Sequence, residues 1–452
     1  MNRPIILFRR SFSLSKRFIA SFVAFNMLAV FLLFAGSSTV SAAPAEKMTD
    51  GAVQVLANAA ILIDAETEQV LYQHDIDTPM APASMSKMMT EFLVFKAVEE
   101  GRLSWDDVVT VQENASLQIG SRIYLAKGDK HTIRELYIAM AVYSANDATV
   151  QLAETVAGSE EQFAQLMNET AAELGMTNSH FINSTGLDRE YMPEKYRPTS
   201  IEGETMMSAR DTAHLAYTIL KEDPDFLETS KIQSYKFRER DKDPMLNWNW
   251  MLESNKNSTS LKKFAYQGVD GMKTGHTDTA GNCFTGTALI NGTRLIAVVF
   301  GVPGTTYDGQ RFLETAKLFD YGFQSFEKKT IIEAKAVVPE HEKFEVKKGV
   351  ATKFPVLTSM DLTILVPKGK VPTPEVVSVT SIEEKLTAPI AMGQKVGEVT
   401  YKYNDPSTLE DKTITVDLIA GEEVEKASWW RLFFRAIKDF FVGLFNGIVN
   451  LF

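Results

Sequence analysis

The chain has 452 residues, 45% of them hydrophobic and 23% charged, which is a globular balance in a chain too long for one core of ordinary size, so two or more domains are expected. Lys and Arg number 47 against 58 Asp and Glu, a formal charge of -11, and this argues against a protein that works on nucleic acid, which needs a basic patch for phosphates. The single cysteine, Cys283, excludes an internal disulfide and a cysteine-rich zinc site, and the 6 histidines show no His-x-x-x-His spacing, so no metal or cofactor is expected.

At the N-terminus Arg3, Arg9, Arg10, Lys16 and Arg17 precede an apolar run from Phe18 to Phe34, and Val40 and Ala42 then supply a small-x-small pattern. This is the layout of a signal peptide, predicting export and cleavage after Ala42; an uncleaved membrane helix is the alternative. The 42 leading residues hold five basic groups and no acid, so the mature chain would carry -16.

Ala60–Asp64, the turn Glu66-Thr67-Glu68 and Gln69–Gln73 predict a β-hairpin. Pro82 leads into a segment carrying Met85, Met88, Met89, Phe92, Leu93 and Phe95, closed by Gly101; it is apolar nearly all round and predicts a centrally buried helix. Residues 100–225 are expected to be mostly helical. Capping boxes are expected at Thr132/Glu135 and Ser159/Gln162, and Ser208-x-x-Asp211 starts a further helix.

After a polar stretch at 238–260, strands are expected at Gly268–Lys273, Asn282–Ile290 and Arg294–Val302, the last two joined by the hairpin signal Asn291-Gly292. A helix over Arg311–Phe326 would pack back on this sheet. Alternating Val, Ile, Thr and Lys over 330–425, with frequent Pro and Gly, predict a separate all-β domain. The tail from Trp429 to Phe452 gathers Arg431, Arg435, Lys438 and Asp439 on a narrow stripe opposite a broad aromatic face, the pattern of a helix lying in a membrane interface.

Three short patterns carry candidate chemistry. In Ser84-Met85-Ser86-Lys87, a serine and a lysine stand one helical turn apart; a lysine in apolar surroundings loses its charge easily and can take the serine's proton. Ser144-Ala145-Asn146 lies between two helices, and Lys273-Thr274-Gly275-His276 ends a predicted strand, where Gly275 lets a substrate backbone approach. Each is common alone. Together, in this order and on a helix start, a loop and a strand, they form a joint signal for serine acyl transfer.

The sequence thereby resembles the penicillin-binding proteins and serine β-lactamases. Ala81–Thr90, Asn183-Ser184-Thr185-Gly186-Leu187 and Gly268–Gly275 make it most similar to the low-molecular-mass penicillin-binding proteins, the serine-type D-alanyl-D-alanine carboxypeptidases of the peptidase S11 type. Leu386-Thr387-Ala388-Pro389 and Gly393–Gly397 extend the likeness into the C-terminal β domain.

The resemblance implies an α+β fold: a β-lactamase/transpeptidase-like catalytic domain over 43–328, built of an antiparallel sheet and a helical subdomain, then an all-β domain over 329–426 and an amphipathic anchor over 427–452. It implies removal of the terminal D-Ala from peptidoglycan stem pentapeptides through an acyl-enzyme on Ser84, with Lys87 as base and Ser144 relaying a proton. Asn146 would hold the substrate amide, Lys273 and Thr274 the terminal carboxylate, and the backbone amides of Ser84 and His276 would form the oxyanion hole. Penicillin would be a covalent inhibitor, and the enzyme would sit on the outer face of the cytoplasmic membrane.

The alternatives are a β-lactamase, for which no Glu-x-x-Leu-Asn stands between 160 and 210, or a catalytically silent membrane-bound β-lactam-binding scaffold or sensor. His74, His131, His180 and His214 lack an acidic partner at readable spacing and are expected to be structural. Cys283 is expected to be packed rather than reactive, and Trp248 and Trp250 fit either a substrate groove or partial burial.

Overall fold

The computed structural model describes residues 53–404 and 411–449. The signal segment expected over 1–42 with its cleavage position, and the last three residues of the helix expected over 429–452, lie outside the described residues.

The catalytic part is centred on an antiparallel five-stranded sheet. Its strands are β1 (Ala59–Asp64), β2 (Val70–His74), β3 (Val269–Thr277), β4 (Gly281–Ile290) and β5 (Thr293–Val302), in the order β2-β1-β5-β4-β3. β1 is an unbroken buried run because helices cover the sheet. Asn291 and Gly292 both have positive φ (51° and 78°), the conformation a tight hairpin of right-handed twist requires.

Seven helices matter for the site and the tail: α1 (Lys87–Glu99), α2 (Ile133–Tyr143), α3 (Asn146–Ala157), α4 (Glu160–Glu173), α5 (Ala209–Glu222), α6 (Gln310–Ser325) and α7 (Trp429–Val449). α5 and α6 pack on the sheet, while α1 is surrounded by α2, α3, α4 and α5. Its burial on nearly every side explains why its sequence shows no polar face. Thr132 and Glu135 complete their capping box, with bonds of 3.0 and 3.1 Å. At Ser159 only half of the expected box forms: its hydroxyl accepts from the Gln162 amide, and the Gln162 side chain meets that hydroxyl rather than the Ser159 backbone.

The expectation of mostly helix over 100–225 is corrected in two places. Val108–Thr110 pairs with Lys130–Thr132 as a small ribbon, and residues 176–208 run as irregular chain with short 3-10 turns at Arg189–Tyr191 and Glu194–Tyr196. Pro193, Pro198 and the positive-φ glycines Gly186 and Gly203 punctuate that stretch. Its carbonyls find other donors: the Arg189 guanidinium bonds those of Gly203, Pro198 and Ile201 at 3.1, 3.0 and 2.6 Å.

The C-terminal part is all β apart from a 3-10 turn at Glu383–Lys385, among the described residues. β6 (Phe326–Ile332) leaves α6 directly and pairs with β9 (Leu362–Pro367). β7 (Lys343–Glu345), β8 (Lys353–Thr358), β10 (Glu375–Ser381), β11 (Lys395–Asn404) and β12 (Asp411–Ala420) make a second sheet ordered β7-β8-β12-β11-β10. Gln69 ties the two parts together: its amide gives 2.8 Å to the Leu365 carbonyl and takes 3.1 Å from the Leu365 N–H, both buried.

α7 leaves its aromatic face uncovered, with Trp429, Phe434, Phe440 and Phe445 each more than 60% exposed. Arg435 bonds the carbonyls of Gly349 and Val350, both at 3.1 Å, and so holds the helix against the β domain. Among the described residues no helix is long and apolar enough to cross a membrane.

Candidate active site

Ser84 sits in a 3-10 turn, Ala83–Ser86, that feeds α1 at Lys87. In that tighter helix residues i and i+3 eclipse, so the two side chains are brought together more closely than a regular α-helix would bring them. Nζ of Lys87 lies 2.7 Å from the Ser84 hydroxyl and 2.9 Å from the Thr185 carbonyl. Ser84 is partly exposed while Lys87 is fully buried, leaving the hydroxyl as the reachable atom of the pair. Burial pushes the Lys87 amine well below the ordinary lysine range; the charge of Lys273 adds to this, and Glu91 and Glu160 oppose it.

Ser144 ends α2 in the left-handed conformation (φ 59°), an uncommon place for a non-glycine residue, and Ala145 then turns the chain into α3. The turn is braced. The Tyr143 carbonyl accepts from the Ser121 hydroxyl (2.6 Å) and the Trp248 indole (3.1 Å). Asp147 accepts the backbone N–H groups of Ile123 and Leu125, fixing the loop that precedes them.

That loop settles how Asn146 is turned. Its amide nitrogen donates to the Ile119 carbonyl at 2.6 Å, so Oδ1 faces the other way, buried and without a partner. An acceptor in that state can take an incoming N–H.

Lys273, Thr274, Gly275 and His276 lie within β3, which continues to Thr277, and not at a strand end as the sequence suggests. The strand continues because β4 pairs with it as far as Gly281. Lys273 is buried and donates to the Ser144 hydroxyl at 2.7 Å. Desolvation lowers its pKa, with the charge of Glu91 holding it up. A Cβ on Gly275 would stand 2.4 Å from the Pro82 carbonyl oxygen, so the missing side chain lets β3 close on the nucleophile turn; the sequence reading had put that constraint on the substrate side. The His276 ring is spent on the scaffold, its Nδ1 donating to the Gly281 carbonyl (3.1 Å) and its Nε2 accepting from Thr306 (2.8 Å).

The three motifs thus converge as two lysine–serine pairs with an orphan amide oxygen beside them. Several contributors had no role assigned from the sequence, the Asn183–Leu187 motif among them. The Asn183–Leu187 loop wraps the nucleophile turn: the Asn183 side chain accepts from the Thr185 and Gly186 amides and donates to the Leu187 carbonyl, and Ser184 takes Thr90 on its carbonyl. Gly186 (φ 76°) passes so near Ala83 that a Cβ would fall 2.0 Å from its carbonyl oxygen. Arg311, buried on α6, clamps the carbonyls of Gly275 (2.8 Å) and Thr306 (3.0 Å). Glu91, four residues after Lys87, is a carboxylate on the buried part of α1.

The remaining residues sort as follows. Two histidines have the acidic partners that spacing had denied them: His131 reaches Glu135 at 3.4 Å, an i,i+4 pair, and His214 bonds Glu68 from a distant hairpin. Both remain structural. Cys283 is fully buried and its thiol is pushed up to about 11 by burial, so it is not a thiolate nucleophile. Trp250 is half-buried and packs at a tilt on Phe264 and Phe312, while Trp248 packs on Tyr143, next in the chain to Ser144.

Comparison with known proteins agrees with this geometry. Residues 45–304 match the family described as D-alanyl-D-alanine carboxypeptidase, and residues 326–426 match the penicillin-binding protein 5 C-terminal domain. The D-alanyl-D-alanine carboxypeptidase DacF of Bacillus subtilis is 33% identical over 383 residues, 85% of this chain and 90% of its own. The crystal structure of the peptidoglycan synthesis regulatory factor PBP3 from Streptococcus pneumoniae superposes with a TM-score of 0.71 at 27% identity, covering 82% of this chain and all of that one. Penicillin-binding protein D2 from Listeria monocytogenes in its ampicillin-bound form gives 0.50 at 31% identity over 60% of this chain and 99% of its own.

Proposed function

The chain belongs to the D-alanyl-D-alanine carboxypeptidase family, a family of serine hydrolases, and on that premise we propose how its residues divide the reaction. The observation that carries the reading is the 2.7 Å contact between the partly exposed Ser84 hydroxyl and the buried, easily neutralised Lys87. With Lys87 neutral, that contact takes the serine's proton as Oγ attacks the carbonyl of the penultimate D-Ala of a peptidoglycan stem pentapeptide. Backbone amides of Ser84 and His276 hold the developing oxyanion, a contribution of roughly a hundredfold or more where measured. Oδ1 of Asn146 accepts a substrate amide N–H, and Lys273 with Thr274 draws in the terminal carboxylate. Ser144 passes a proton to the departing D-Ala amine and is reprotonated by Lys87 or Lys273, and the proton Lys87 took from Ser84 makes up the loss, so that neither lysine ends the acylation with a changed charge. Water then hydrolyses the Ser84 ester, and trimming the pentapeptide limits cross-linking. A β-lactam acylates the same serine, as the ampicillin-bound form of the Listeria relative suggests for this chain.

The place of action belongs to the same proposal. An N-terminal segment of 42 residues directs export and is cleaved after Ala42, and α7 lays its uncovered aromatic face into the outer face of the cytoplasmic membrane. The decisive test is D-alanine release from a synthetic stem pentapeptide, beside Ser84→Ala and with penicillin added. Release that stops in both controls supports the assignment; release that persists in Ser84→Ala removes it.

A further inference from the structure

The face of α1 that carries the catalytic lysine carries a second ionisable group. Glu91 stands four residues after Lys87 and seven after Ser84, one and two turns along the same side of the helix. It is 1% exposed, and its Oε1 has no hydrogen-bond partner. Tyr137 on the adjoining α2 is buried with its hydroxyl likewise unpartnered. A carboxylate left so bare is costly unless positive charge compensates it.

That charge comes from the active site. Burial raises the Glu91 pKa to about 7; the charges of Lys273 and then Lys87 hold the rise back by favouring the ionised form, and Asp223 at the end of α5 adds to it. In return Glu91 favours the protonated form of each lysine; Glu160 on α4 does the same for Lys87, while Arg311 on α6 works against Lys273. The carboxylate of Asp147 on α3 is turned away to the amides of Ile123 and Leu125.

We propose that Glu91 is a positioning residue of the acyl transfer, its buried carboxylate being the counter-charge shared by Lys87 and Lys273, which keeps Lys273 cationic for the substrate carboxylate while Lys87 serves as neutral base. It touches neither substrate nor reacting atom, and the proposal rests on the roles given above to the two lysines. Without the negative charge, the repulsion between two lysines in one dry site is offset only by Glu160 at Lys87, and each lysine gives up its proton at lower pH. Both limbs of the activity profile then move the same way.

The test uses the full-length protein in detergent, with D-Ala release and acylation by a fluorescent penicillin followed from about pH 5 to about pH 10, a window set by the ordinary ranges of the groups involved. In Glu91→Gln the acid and alkaline limbs should both move to lower pH by roughly one unit, about tenfold in rate at a fixed pH on either limb. Glu91→Asp should restore them. Asp223→Asn, which lets Glu91 ionise more readily, should move both limbs to higher pH. A folded Glu91→Gln whose limbs overlay the native ones overturns the proposal; if that variant does not fold, unmoved limbs in Asp223→Asn overturn it. Penicillin labelling that survives in Ser84→Ala would instead strike the assignment of the site itself.

Discussion

The Lys273 ammonium donates to the Ser144 hydroxyl at 2.7 Å across 129 residues of sequence, while Lys87 is bonded to Ser84. Each buried lysine therefore has its own serine, and in the proposed reaction the proton taken from Ser84 and the proton given to the leaving amine have separate carriers. Ser144→Ala removes the second carrier and leaves the first intact. Its kcat on the pentapeptide should fall by about 10²–10⁴-fold, the usual worth of a positioned proton donor. Stopped-flow acylation and circular dichroism together check this, since a near-native rate in a folded variant would show that Lys273 works without the serine.

Gly186 is where the supporting loop touches the nucleophile turn. Its φ of 76° and the 2.0 Å approach of a virtual Cβ to the Ala83 carbonyl predict two penalties for Gly186→Ala, left-handed strain and a backbone clash. Together they should cost roughly 2–4 kcal/mol. Because the relief available is displacement of Ala83 beside Ser84, acylation should slow along with the fall in Tm; a variant with native Tm and rate would refute the packing argument.

Much of this was legible in sequence because local rules and tertiary needs agree. The Asn291-Gly292 hairpin, the all-round apolar α1 and the Thr132/Glu135 box are each fixed by neighbours within a few residues. What stayed hidden depends on distant partners. In the 176–208 stretch Arg189 meets carbonyls 9 to 14 residues further on, beyond any helical spacing, and Gly275 is constrained by Pro82, far off in sequence. The serines, lysines and asparagine that the structure brings together were readable as candidates because the proposed chemistry needs those residue types. Arg311 was not, because a clamp on carbonyls leaves no local pattern.

The pair His214–Glu68 makes stability depend on pH. The hydrogen bond to Glu68 raises the His214 pKa above its unfolded value, so the folded state holds that proton more tightly. The stabilisation is fully present below about pH 6.5, the unfolded value, and is lost as pH rises through the raised folded value. Compared with His214→Gln, the native protein should have a Tm advantage on the acid side that shrinks toward alkaline pH. An advantage constant with pH would mean the contact acts by packing.

Gln69 fastens the catalytic part to the β domain through both backbone groups of Leu365. Gln69→Ala strands a buried N–H and a buried C=O, each costing roughly 1–3 kcal/mol unless water reaches it. The two parts should then unfold in less coincident transitions, seen by calorimetry as a broadened or split peak. Turnover of a short soluble pentapeptide should be unchanged, because none of the groups assigned to the reaction is near this joint in sequence or bonded to it.

The uncovered face of α7 gives the last expectation, and its energetics can be bounded. Phe434, Phe440, Phe441 and Phe445 stand 61–67% exposed, an arrangement that leaves several large rings in water unless something covers them. Burying one such side chain is worth roughly 1.5–3 kcal/mol, so a few rings entering a bilayer suffice for stable binding, with Arg431 and Lys438 on the stripe available to anionic headgroups. Arg435 is already bonded to the Gly349 and Val350 carbonyls, so the helix is held at a fixed place on the β domain when it meets the surface. Phe434→Ser combined with Phe441→Ser should therefore reduce co-sedimentation with anionic vesicles by at least tenfold while pentapeptide hydrolysis in solution stays native. Arg435→Ala should leave vesicle binding largely intact, since the apolar face is untouched, but should loosen the helix from the β domain, read as faster hydrogen exchange at residues 349–350. Undiminished sedimentation of the double phenylalanine variant would mean that this face docks on protein and not on lipid.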